Sequence, residues 1–259
     1  MKNRINRLFD TKKKNILSIY FTAGYPGLND TIPIIEALTA SGVDMIELGM
    51  PFSDPLADGP VIQQSNQKAL ENGMSLNLLF AQLKDVRKKT DTPLLLMGYL
   101  NPVLQYGIEN FCKKASEIGI DGIILPDLPL DEYEEKYKTL FEQYNLHLIF
   151  LITPQTSADR IKHIDSISNA FIYVVSAAST TGVRNSIDAV QQEYFSRIKN
   201  MSLRNPAIIG FGISNKKTFM EACKYASGTI IGSAFIKLLA EKGANSDAIN
   251  DFILNILFV

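Results

Sequence analysis

Cysteine and histidine are scarce in this chain. Its 259 residues include two cysteines, Cys112 and Cys223, and two histidines, His147 and His163. Two cysteines in helix-like stretches are too few for a disulfide framework at this length, so a reducing compartment is expected. Two histidines without a cysteine cluster argue against a transition-metal site. An excess of one charge is also missing: acidic and basic side chains nearly cancel, leaving a formal charge of -1. A nucleic-acid surface needs a basic excess to neutralise phosphates, which sets that class aside. No apolar run is long enough to cross a bilayer. The basic start, residues 1–14, is not followed by an apolar stretch of signal-peptide length. A cytoplasmic protein is expected. Linkers rich in Ser, Gly or Pro and low-complexity segments are absent too.

What the sequence does contain is a short apolar run that keeps returning, at 16–21, 45–49, 93–99, 122–127, 146–153, 170–176, 206–212 and 228–234. Most of these runs are continuously apolar rather than alternating, the pattern of parallel strands covered on both faces. Segments with helical spacing lie between them. Ser75 is placed to cap a helix whose Leu76, Leu79, Phe80, Leu83 and Val86 share one face. Asp131 opens a stretch carrying Tyr133, Tyr137, Leu140 and Phe141, and Ser157, Ser214 and Ser246 precede others. Parallel neighbours require such crossovers. Eight strand-then-helix repeats close most economically into a parallel (β/α)8 TIM barrel of the α/β class, one catalytic domain over residues 1–259. The alternative, an open doubly wound sheet, normally carries a glycine fingerprint after its first strand. Thr22-Ala23-Gly24-Tyr25-Pro26 stands there instead.

In such a barrel the chemistry sits at the C-terminal strand ends. The second run, Met45-Ile46-Glu47-Leu48-Gly49, puts a carboxyl inside an apolar strand. An unpaired charge there is costly. Glu47 is therefore either half of a structural ion pair or a neutral acid able to exchange a proton. Asp58 follows on a proline-braced loop, in an Asp-Gly pair that is also a common turn. One buried carboxyl beside one on a loop lets acid and base roles separate. Phosphate has a signal of its own. Gly212 ends the seventh run, and Gly232-Ser233 ends the eighth just before a helical stretch at 235–239. Barrels hold phosphate there on backbone N–H groups and a helix N-terminus. These glycines are also readable as plain turns.

The stretch Glu47-Leu48-Gly49-Met50-Pro51-Phe52-Ser53-Asp54-Pro55-Leu56-Ala57-Asp58-Gly59-Pro60 resembles the signature of the tryptophan synthase alpha subunit family. The resemblance continues through Thr22-Ala23-Gly24, Met97-Gly98-Tyr99-Leu100-Asn101-Pro102, Pro126-Asp127-Leu128-Pro129, Gly210-Phe211-Gly212-Ile213-Ser214 and Gly232-Ser233-Ala234. It covers essentially the whole chain in the expected order. It implies a lyase of tryptophan biosynthesis that splits indole-3-glycerol phosphate into indole and D-glyceraldehyde 3-phosphate. By the same resemblance, Glu47 matches the residue that protonates indole C3 and assists the retro-aldol step, and Asp58 the acid that meets the indole N–H. Tyr173 takes the place of an active-site tyrosine, and Phe21, Tyr99, Leu100 and Leu125 are candidates for the pocket wall. All five also read as ordinary barrel filling. Gly182 joins Gly212, Gly232 and Ser233 around the phosphate. After the sixth run the family usually reads Ser, two variable residues, then Gly-Val-Thr-Gly. Here Ser176-Ala177-Ala178-Ser179-Thr180-Thr181-Gly182 has Ser-Thr in place of Gly-Val. Thr181 remains able to bond Asp58 when the loop closes, and the lost glycine bears on the closing rate.

No cofactor is implied for this chain, because a protonated indole ring supplies the electron sink. A partner is implied: a pyridoxal-phosphate-dependent beta subunit in an alpha2-beta2 heterotetramer, docking around Asp54, Pro55, Asn101 and Pro129. Three other readings stay open at this point. One is another phosphate-binding barrel enzyme, which would lack the Pro-Phe-Ser-Asp-Pro-Leu-Ala-Asp-Gly loop. The second is an alpha-like subunit that only activates its partner, and the third a stand-alone lyase that releases free indole.

Overall fold

The computed structural model describes residues 2–175, 189–210 and 212–258. Among them, nine parallel strands form one sheet in the order β5-β4-β3-β2-β1-β9-β8-β7-β6. In chain order these are β1 (Ile16–Thr22), β2 (Met45–Gly49), β3 (Leu94–Met97), β4 (Gly122–Ile124), β5 (His147–Leu148), β6 (Phe150–Ile152), β7 (Ile172–Val175), β8 (Ala207–Gly210) and β9 (Gly228–Ile231). Every residue of β1, β2, β3 and β7 is buried. Helices cover the outside of the sheet and side chains fill the inside, which is why these runs are apolar on both faces.

The two end strands of the sheet are halves of one expected run, 146–153. β5 pairs with β4, β6 pairs with β7, and Ile149 between them gives its N–H to Ile123 O at 2.9 Å. Ile149 is where the chain passes from serving one neighbour to serving the other. The result is a (β/α)8 barrel whose fifth strand is split. Several other strands are shorter than their apolar runs, with β3 ending at Met97, β4 at Ile124 and β9 at Ile231. The ladder stops where loops and helices take over; Ala234 already lies in the helix Ser233–Lys242.

Ser75 and Ser157 cap their helices as expected, accepting from Leu78 N and Arg160 N. Three other helix starts are displaced by one residue. Leu130–Glu132 follows Pro129 rather than opening at Asp131, and it runs on through a π turn, Tyr133–Tyr137, into Lys138–Gln143. Asn215 and Asn245, not Ser214 and Ser246, accept the capping bonds from Thr218 N and Ala248 N. Asparagine is as good an N-cap as serine, so either neighbour could have served.

The N-terminal end of the barrel is stopped by the helix Arg4–Thr11, whose Ile5 and Phe9 are buried. Phe9 packs 5.9 Å from Phe171. Asp121 sits beneath this plug with 2% exposure, taking Arg87 Nη2 at 2.7 Å, Leu94 N at 3.0 Å and Arg4 Nη1 at 3.3 Å. Cys112 and Cys223 are free and buried. No helix among the described residues is long and apolar enough to cross a membrane. With one end plugged, the site belongs at the other.

Candidate active site

Glu47 lies in the middle of β2, fully buried. Parallel pairing sets it level with Tyr20 on β1 and Leu95 on β3. Its Oε1 accepts the Ser18 hydroxyl at 2.7 Å, while Oε2 is buried with no partner among the described residues. Burial pushes the Glu47 carboxyl up to about 7, against the lowering effect of the Ser18 bond. No lysine or arginine reaches it, so the structural ion pair is ruled out among the described residues.

Ser18, Tyr20 and Thr22 share a face of β1, because strand side chains alternate. Tyr20 is buried and its hydroxyl lies 3.4 Å from Thr22 Oγ1, which in turn meets Ser65 Oγ at 2.6 Å. Burial and then the nearby Asp58 raise the Tyr20 hydroxyl, with Glu47 adding to the effect. Phe21 points the other way. Its ring is 6.4 Å from Phe235 on the outer helix Ser233–Lys242, so the inward aromatic at this point of β1 is Tyr20 and not the expected Phe21. Tyr173 on β7 is buried as well, and it too is raised first by burial and then by Glu47 and Asp58. Two tyrosines thus share one space with both carboxyls. Glycine makes the room: a Cβ on Gly49 would collide with the Tyr20 hydroxyl, and one on Gly210 with that of Tyr173.

Asp58 is held by the elements on either side of its loop. Its Oδ2 accepts the Tyr99 hydroxyl at 2.9 Å, and the same Tyr99 oxygen accepts Ala57 N at 3.0 Å. Gln63 Nε2, on the helix Pro60–Glu71, donates to Asp58 O at 2.9 Å. Asn66 on that helix takes Phe52 N at 3.1 Å, and Phe52 lies 5.3 Å from Tyr99 ring to ring. Asp58 is buried, which pushes its carboxyl up to about 6, while the Tyr99 hydroxyl pulls it down. Leu100 begins a helix whose first N–H is taken by Asp127, and Leu125 is buried just past β4.

Gly212 adopts φ +78 with nothing among the described residues within reach of a Cβ there, and Gly232 caps the helix Ser233–Lys242 without any side-chain bond. The first N–H groups of that helix thus receive no bond from an N-cap side chain. Of the expected rim residues, Asp54, Asn101 and Pro129 are exposed. Pro55 is buried and Asp58 N closes a turn onto its carbonyl at 3.0 Å; its neighbour Leu56 stands 90% exposed instead. Thr181 and Gly182, with the rest of the loop from Ser176, lie outside the described residues, as does Phe211. Among the described residues no group of three or more His, Cys, Asp or Glu is placed to hold a metal.

A family model described as tryptophan synthase alpha chain matches residues 7–255. The chain belongs to the tryptophan synthase alpha chain family. It is 62% identical to the tryptophan synthase alpha chain of Flavobacterium psychrophilum, over 94% of this chain and 96% of that one. With that of Flavobacterium johnsoniae it shares 59%, over 97% and 98%. Among solved structures, Mycobacterium tuberculosis tryptophan synthase superposes with a TM-score of 0.89 at 29% identity, covering 99% of this chain and 97% of that one. The tryptophan synthase complex of Pyrococcus furiosus gives 0.87 at 33% identity, covering 96% and 100%. Membership of the tryptophan synthase alpha chain family makes the chain a lyase of tryptophan biosynthesis and sets aside other phosphate-binding barrel enzymes. The family's alpha chains need no cofactor of their own.

Proposed function

We propose that residues 1–259 act as one catalytic barrel, in the cytoplasm, cleaving indole-3-glycerol phosphate to indole and D-glyceraldehyde 3-phosphate. The observation that carries this is a pair of buried carboxyls with different partners, one in a strand and one on a loop, sharing a space with Tyr20 and Tyr173. Glu47, at about 7, exists in both protonation states near neutral pH and so can both give and take a proton. It protonates indole C3, which makes the ring an electron sink. It then takes the proton of the side-chain hydroxyl as the C–C bond breaks, and the bonding pair moves into the ring. Asp58, at about 6, is mostly ionised at pH 7 and balances the positive charge on the ring N–H. Tyr99, Leu100, Leu125 and Tyr173 bound the substrate. Gly212, Gly232 and Ser233 hold its phosphate together with Gly182, and Thr181 bonds Asp58.

Glu47→Gln keeps the shape and removes the exchangeable proton, so steady-state indole release should fall at least ~100-fold, the low end for general acid–base catalysis. Asp58→Asn should be similarly disabled with the fold intact. Near-normal turnover in Glu47→Gln would remove this reading. The likeness to chains of solved tryptophan synthase complexes supports a beta partner carrying pyridoxal phosphate, in an alpha2-beta2 heterotetramer. Its docking surface is the rim formed by Asp54, Leu56, Asn101 and Pro129.

A further inference from the structure

The two oxygens of the Glu47 carboxyl are not equivalent. Oε1 accepts the Ser18 hydroxyl at 2.7 Å, and Oε2 is enclosed with nothing to bond among the described residues. Ser18 itself is fully buried on the inner face of β1, paired opposite Met45 and so one diagonal step from Glu47. A buried hydroxyl that meets a carboxylate can only donate to it. With the Glu47 proton on Oε2 that donation is kept in both protonation states, whereas a proton on Oε1 would weaken it or reverse its direction. We infer that Ser18 is a positioning residue for the lyase reaction, fixing the Glu47 carboxyl so that its exchangeable proton resides on Oε2 and moves between that atom and the substrate.

The inference rests on the lyase reading above and adds to it which oxygen works and what holds it. Ser18 is also what keeps the carboxyl from drifting further toward its neutral form, because a bond to the charged state favours that state. Tyr20 on β1, Tyr173 on β7 and Asp58 beyond them share the space around Glu47, and the bond that reaches its Oε1 is the one from Ser18 at 2.7 Å. Leu95 on β3, level with Glu47, has no polar atom in its side chain.

The test is a carbon-13 NMR titration of the full chain labelled at glutamate side-chain carboxyls, with the Glu47 resonance assigned by its loss in Glu47→Gln. In Ser18→Ala the Glu47 midpoint should rise by about one pH unit, the expected effect of losing one bond to a charged acceptor. Lyase kcat at pH 7 should fall about tenfold in the same variant, because the carboxyl loses the alignment that the Ser18 bond gives it, with KM nearly unchanged. Ser18→Thr, which keeps the hydroxyl, should restore both. An unmoved midpoint, or an unmoved kcat with a shifted midpoint, overturns the role of Ser18. Normal turnover in Glu47→Gln would instead remove the lyase role of Glu47, so the two failures are told apart.

Discussion

Glu47 occupies a place that disfavours its own charge, and the folded chain bears that cost at neutral pH. Its carboxyl stands at about 7 in the folded state against 4.5 when free. A raised value means the folded state binds the proton more tightly than the unfolded one. The stabilisation this gives is complete below about pH 4.5 and is lost as pH rises through about 7. Glu47→Gln has no charge to desolvate. It should exceed the parent in stability at pH 8, on the order of 3 kcal/mol by urea unfolding, and the advantage should vanish near pH 4. Equal stabilities at both pH values would mean that the carboxyl is not held against its charge. Asp58, at about 6 in place of 3.8, acts in the same direction. Both acids were legible in the sequence, Glu47 as the lone carboxyl in an apolar strand and Asp58 as part of a braced loop. Ser18 and Tyr20 were not. All seven residues of β1 are buried, so its composition gives no parity, and only the pairing of Tyr20 with Glu47 tells which face looks inward.

Among the elements, continuous apolar runs reveal each strand but not what the strand pairs with. The run that became β5 and β6 reads as one strand, because no residue type marks the point where a backbone N–H changes neighbour. Helix caps show the same limit, since Asn215 and Asn245 are adjacent to serines of equal capping power. Close approach of backbones is likewise invisible until the strands are assembled. Gly228 on β9 pairs with Ile16 on β1, and a Cβ there would run into the Ile16 carbonyl, which belongs to the backbone and cannot rotate aside. Gly228→Ala should therefore cost about 3 kcal/mol, the upper part of the overpacking range, read as a fall in thermal midpoint. A change of less than a degree would show that β1 and β9 can part without penalty.

For the whole molecule, the barrel has a structural end and a chemical end. The plug at Asp121 was hidden in the sequence because its partners Arg87 and Arg4 lie 34 and 117 residues away. The chemical end carries the rim that the proposed beta partner covers. Lyase activity should be low for the chain alone and rise clearly when the cognate beta subunit is added. Asp54→Ala or Leu56→Asp should blunt that rise while leaving the activity of the free chain within about twofold, as for surface changes away from buried groups. Equal rates with and without the partner, and no complex by sedimentation, would favour the stand-alone lyase. Leu56 has a further consequence. It stands 90% exposed two residues before Asp58, in a turn that Asp58 N closes onto Pro55 O. Covering that one leucine releases about 2 kcal/mol, roughly thirtyfold in the affinity of whatever covers it, and the side chain so covered stands two residues along the chain from a buried carboxyl of the site.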